Sequence, residues 1–261
     1  MMKQRKFLNL LLGLFFLVHF CGLFVFAQKS PKDKFIFGPL NPIKMPRVEK
    51  VELKNGLKLF LVEDHDYPTI DFRAMIHSGS VFELASKIGL ASIVGTVLRT
   101  GGTASMTGDD IDKELETLGA TVETGIGSTS GYITVSVLKE NIGRALEILA
   151  DILINPAFAE DKIELAKIEQ RSAISRRNDD IGSITDREFS KLIYGNDSPY
   201  ARHPEYATIE AITRQDIVDL YKKYFYPNNT IIAVWGDFNS KEMAAMIDKA
   251  FVKWMLSLIH I

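Results

Sequence analysis

From Gly89 to Thr103 the chain reads GLASIVGTVLRTGGT, and this stretch restricts the fold more than any other. At 100° per residue, Leu90, Ile93, Val94 and Val97 fall on one apolar stripe, which predicts a helix over about 87–99 laid on a core. Ser92, Gly95, Thr96 and Arg99 share a second stripe. Gly in a helix interior costs about 1 kcal/mol relative to Ala, so helix stability alone does not account for Gly95. Two explanations stay open. Small groups let another backbone approach closely, or the stripe floors a cleft that receives a peptide or a partner surface.

The elements around this helix alternate between hairpins and amphipathic helices. Segments 48–54 and 57–63 flank Asn55-Gly56, a two-residue turn signal whose central positions both need positive φ. Further strands are expected over 69–77, 121–125, 131–138 and 230–235. Helices are expected over 109–118, 141–155, 160–177, 183–194, 214–225 and 240–254. In the helix at 141–155, Ile142, Ala145, Leu146, Leu149, Ile152 and Leu153 recur at spacings of three and four. Thr213 with Asp216, and Asn239 with Glu242, have the spacing of N-terminal capping boxes. Hairpins and segregated helices in this mixture predict an α+β layer fold.

The first 27 residues combine a basic start (Lys3, Arg5, Lys6), an apolar run over 7–26 and the ending Val25-Phe26-Ala27. They read as a cleaved signal peptide, with an uncleaved membrane anchor as the alternative. The single cysteine, Cys21, lies in this run behind Val18, His19 and Phe20, which make no lipobox, so a cleaved chain carries no disulfide or thiolate chemistry. Cleavage removes three basic residues and no acidic ones, taking the formal charge from −2 to −5. No basic block remains to suggest nucleic acid as a partner. Residues 28–46 carry four prolines and read as an extended lead-in or a disordered tail. Residues 255–261 end in an apolar run without a cap, read either as a non-native end of a truncated chain or as a packed tail.

Positions 92, 95 and 96 stand at i, i+3 and i+4, the spacing by which an H-x-x-E-H helix offers two imidazoles and a carboxylate to zinc. Gly89-Leu90-Ala91 before them and Gly102-Thr103 after them resemble the frame of the inverted zinc motif of the pitrilysin/insulinase (M16) peptidases. Asn155-Pro156-Ala157-Phe158, and Tyr224 to Asn229 followed by a strand and Gly236-Asp237-Phe238, are similar to later pieces of that family's N-terminal domain. The resemblance runs over 47–254. It implies an M16/LuxS-like metallohydrolase half-domain, with a mostly antiparallel sheet and helices on one side, normally followed by a second, similar half.

The resemblance carries the frame without the ligands. Ser92, Gly95 and Thr96 stand at the zinc-motif positions, and the expected third ligand on the long helix falls on Ser172 or Ala173. Glu169, one turn earlier, reads as a solvated surface group. His65, His77 and His203 form no pair at ligand spacing, His19 and His260 lie in the terminal segments, and no G-x-S-x-G is present. Catalytic and metal residues are therefore expected to be none, with zinc only in an active partner.

In the same family a peptide adds as an extra strand along the edge that here corresponds to Thr121, Val122, Glu123, Thr124 and Gly125. The alternative is an ordinary edge blunted by Glu123 and the flanking glycines. The resemblance implies a catalytically silent, exported subunit, periplasmic or secreted and touching a membrane only through residues 7–26. It would pair with an active homologue or a missing C-terminal half. A stand-alone peptide-binding or structural scaffold is the second reading, and a zinc peptidase with unconventional ligands the third.

Overall fold

A computed structural model of the chain describes residues 38–42 and 45–257. Residues 1–27, read from sequence as a signal peptide, most of the segment 28–46 and residues 258–261 lie outside the described residues. The chain divides into two units, Met1–Met45 and Pro46–Ile261. Residues 38–42 and 45 of the first carry no regular secondary structure.

The second unit is built on a six-stranded sheet. Its strands are β1 (Glu49–Glu52), β2 (Lys58–Glu63), β3 (Thr69–Ile76), β4 (Thr121–Ile126), β5 (Gly131–Leu138) and β6 (Thr230–Gly236), in the order β1-β2-β6-β3-β5-β4. Every neighbouring pair is antiparallel except β2 with β6. The helices are α1 (Leu90–Thr100), α2 (Gly108–Leu118), α3 (Ile142–Ile154), α4 (Glu160–Arg176), α5 (Ile181–Tyr194), α6 (Tyr206–Glu210), α7 (Arg214–Tyr224) and α8 (Ser240–Ala250).

Period-two alternation puts one face of the sheet in the core. Leu59 and Leu61 of β2, Ile70, Phe72, Ala74 and Ile76 of β3, Ile133, Val135 and Val137 of β5, and Ile232 and Val234 of β6 are buried. They meet Ile93, Val94 and Val97 of α1, the length of α3, and Ile217 and Ile247 of α7 and α8. The opposite face leaves Met75, Tyr132, Ile231 and Trp235 exposed.

The sequence signals are realised at named contacts. Gly56 turns the hairpin at φ 83°, and Asn55 Nδ2 donates to the Phe251 carbonyl at 3.1 Å. Thr213 and Asp216 form the reciprocal capping box of α7, whereas Asn239 caps α8 by accepting from the amides of Lys241 and Glu242 without a return bond. Two elements differ from expectation. Helix α6, five residues long, is too short to show a period. Helix α8 stops at Ala250 rather than 254, because Trp254 leaves the helical path and its indole donates to the Phe225 carbonyl at 3.2 Å.

Candidate functional site

Helix α1 begins at Gly89, whose φ of 103° is left-handed. The orphan amides of its first turn are held by a side chain from outside the helix: Glu83 accepts from Gly89 N at 3.2 Å and from Ala91 N at 2.5 Å. Glu83 is itself buried. Burial pushes its carboxyl above the ordinary range, and the bonds from Ala91 and Gly89 oppose that shift. This anchor was not legible as a capping box, because the acid precedes the helix by several residues in a separate loop. The loop is tied to β4's exit by Ser80 N to Gly127 O at 3.0 Å and Val81 N to Ser128 O at 3.1 Å.

Along α1, Ser92, Thr96 and Arg99 are half-buried and Gly95 is buried. Strand β4 lies directly against Gly95. Thr124 Oγ1 donates to the Gly95 carbonyl at 2.6 Å, and a Cβ added at Gly95 would stand 2.5 Å from Ile126 N. Close backbone approach is thus the physical reason for this glycine. Thr96 Oγ1 donates back to the Ser92 carbonyl at 3.2 Å. Arg99, at the far end of the stripe, ion-pairs with Asp112 and lies 3.7 Å from Glu123 of β4.

The long helix corrects one expectation. Its inward stripe is Ile163, Ala166, Lys167, Gln170 and Ile174, and Gln170 Nε2 donates to Ser92 Oγ at 2.9 Å. Ser172 and Ala173, placed at the third-ligand position from sequence, are both exposed, as is Glu169; Ser172 points to the opposite side of the helix, whereas Ala173, three residues after Gln170, borders the stripe with a methyl group. Two residues along a helix rotate the side chain by about 200°. Ser92 shares a cleft with Gln170, Gly95 is covered by β4, and Ser172 does not line the cleft.

The cleft opens on a cavity of about 280 Å³ lined by Glu83, Ser92, Ile126, Gln170 and Arg202 among others. Its polar side chains are the hydroxyls of Ser80, Ser92 and Ser128, the primary amide of Gln170, the guanidinium of Arg202 and the Glu83 carboxylate, already committed to two backbone donors. These residues do not fit zinc, which takes imidazole, thiolate or free carboxylate ligands in tetrahedral array. Among the described residues no group of three or more His, Cys, Asp or Glu is arranged around a common point. What the cleft offers is hydrogen bonding to amides and carbonyls.

Strand β4 pairs only with β5 among the described residues, so one edge of Thr121 to Gly125 is open. Val122 is buried, while Thr121 and Glu123 are exposed and Thr124 and Gly125 half-buried. The ring of Tyr132, opposite Gly125 in register, covers that glycine.

The pieces of sequence that resemble the M16 frame also meet in space. Thr103 and Pro156 form an antiparallel bridge, and Ala157 N donates to the Gly102 carbonyl at 2.9 Å. Two family models match this chain: insulinase (peptidase family M16) over residues 59–187, and peptidase M16 inactive domain over 211–257.

The chain belongs to the M16 peptidase family.

Within the M16 family, it is 22% identical over 245 residues to the mitochondrial-processing peptidase subunit beta of Dictyostelium discoideum, covering 91% of this chain and 51% of that one. The solved peptidase M16 inactive domain from Pseudomonas fluorescens superposes with a TM-score of 0.74 at 22% identity, over 82% of this chain and 53% of the other. The periplasmic protease PqqL of Escherichia coli gives a TM-score of 0.73 at 19% identity, over 82% of this chain and 25% of that chain. The chain spans about half the length of the curated M16 relatives it matches, or less.

Proposed function

We propose that this chain is a catalytically silent M16 subunit, which contributes a cleft and a sheet edge for peptide while an active, zinc-bearing homologue or a second half carries out hydrolysis. The observation that carries the reading is the seating of β4 on Gly95. The position that would hold a general-base carboxylate has no room for any side chain, and its neighbours are hydroxyls. Such a site neither lowers the pKa of a metal-bound water nor supplies a base to deprotonate it.

Three features support pairing. The relatives are roughly twice as long. Helix α5 buries none of its residues and exposes Ile181, Phe189, Leu192 and Ile193. The outer sheet face is likewise uncovered at Met75, Tyr132, Ile231 and Trp235. Export to the periplasm is part of the proposal; the N-terminal apolar run and a relative named as a periplasmic protease support it. The open edge of β4 favours a second reading, a peptide-binding scaffold that works without an active partner.

The test is zinc content together with peptide cleavage, on the chain alone and mixed with an H-x-x-E-H homologue from the same source. The expected result is no stoichiometric zinc and no cleavage alone, with the homologue's cleavage raised on mixing. Zinc and cleavage by the chain alone overturn the proposal, and peptide binding with no effect on the homologue moves the reading to the scaffold.

A further inference from the structure

Ile88 and Arg202 line the cleft at Ser92 and also a second cavity of about 460 Å³, enclosed by the end of α4, by α5 and by the loop leading to α6. Four permanent cations lie on its wall, Arg177, Arg187, Lys191 and Arg202, against two carboxylates, Glu188 and Glu205. Glu188 is shared: it accepts from Arg187 Nε at 3.1 Å and Lys191 Nζ at 2.9 Å, and these two cations hold its carboxyl below the usual range. Glu205 is taken by Arg177 at 2.7 Å. Among the described residues Arg202 has no carboxylate partner, and it donates to the Asp197 carbonyl at 3.0 Å. The wall therefore carries more positive charge than its own acids neutralise.

His203 sits among these groups. Its Nε2 is buried and has no hydrogen-bond partner among the described residues. Burial first, then Lys191 and Arg187 from α5 and Arg177 from the end of α4, push its pKa down, with Glu188 opposing them. A neutral imidazole with an unused ring nitrogen stands beside excess cation.

We propose that this cavity is a binding site for a multiply charged oxyanion, carboxylate or phosphoryl, held by Arg202 and Lys191 with His203 as an additional donor. The guanidinium fork matches two oxygens of either group, and a partly enclosed wall strengthens the attraction over its value in water. The cavity exceeds what one phosphate fills and falls in the range of small-molecule sites. Arg187 donates across the α4–α5 junction to the Arg177 carbonyl and Asn178, and Arg177 donates to the Pro204 carbonyl in the loop before α6, so they frame the site. The site does not depend on whether the cleft takes peptide.

The experiment titrates the chain separately with pyrophosphate and with tricarballylate at low salt, against chloride at matched ionic strength, following the His203 ring nitrogens by NMR. Saturable binding in the millimolar range or tighter is expected, at least tenfold weaker in R202Q/K191Q. The His203 signals should move toward the protonated position as the anion offsets the facing cations. The milder K191Q, whose partner Glu188 lies on its own helix, should weaken binding about threefold and guards against misfolding of the double variant. A response to one anion alone assigns the phosphoryl or the carboxylate chemistry. Shifts equal to those in chloride, or wild-type affinity in both variants, overturn the proposal.

Discussion

Thr124 Oγ1 donates to the carbonyl of Gly95 at 2.6 Å, so a β4 side chain grips the helix at the position where the M16 motif would carry its base. A methyl group there would meet Ile126 N at 2.5 Å and Gly125 Cα at 2.8 Å, both of them backbone. Gly95→Ala therefore destabilises by about 1–3 kcal/mol through overpacking, net of the roughly 1 kcal/mol gained in helix propensity. Urea unfolding checks this, and a stabilised G95A would show that β4 yields easily. For the same reason, S92H/G95E/T96H is expected not to acquire stoichiometric zinc by equilibrium dialysis.

Glu83 provides a second test. Glu83→Ala leaves the buried amides of Gly89 and Ala91 without their acceptor, at a cost of about 1–3 kcal/mol. The folded-state pKa is raised above the ordinary 4.5, so this group favours the fold fully below about pH 4.5, and the contribution is lost as pH rises through the folded value. Gln does not titrate. Between pH 4.5 and 7 the wild type should lose stability relative to E83Q in urea titrations, and parallel pH profiles would refute the buried-carboxylate account.

His65 and Asp237 tie the end of β2 to the turn after β6, with Nδ1 2.6 Å from Oδ1. The bond to Asp237 raises the His65 pKa above 6.5, while Lys139 and then His65 lower that of Asp237 below 3.8. The histidine's part is full below about pH 6.5 and lost above its folded value; the aspartate's is present above pH 3.8 and lost below. The contact is strongest between those limits. Asp237→Asn should return the His65 ring-proton midpoint toward 6.5 by NMR.

Trp254 is 4% exposed, stacks near Phe251 at 5.4 Å and donates to the Phe225 carbonyl. Trp254→Ala is expected to cost about 3–5 kcal/mol. A thermal midpoint unchanged in W254A would mean that residues 251–257 contribute nothing to the core.

Much of the fold was legible because local signals agreed with long-range packing. The chain turned at Asn55-Gly56, although only Gly56 and not Asn55 takes the positive φ expected of both, and the Thr213–Asp216 spacing closed a true capping box. The Gly102-Thr103 and Asn155-Pro156-Ala157 segments carried no obvious local meaning. Their reason is mutual, since each supplies the backbone partners of the other.

The sequence by itself determined the chemistry missing from α1, because hydroxyls and a glycine at positions 92, 95 and 96 cannot become imidazole and carboxylate in any fold. It also determined the order of strands and helices apart from the five-residue α6, as follows from period and turn residues. Only the tertiary structure decided that Gln170 rather than Ser172 faces Ser92. Helix α4 has a weak apolar stripe, so nothing local fixed its rotation, and an offset of two residues turns a side chain to the opposite side. It likewise decided that Glu83 caps α1 and that β4 fills the space at Gly95. Those contacts join segments 6 to 31 residues apart, and their formation depends on the closing of the whole sheet.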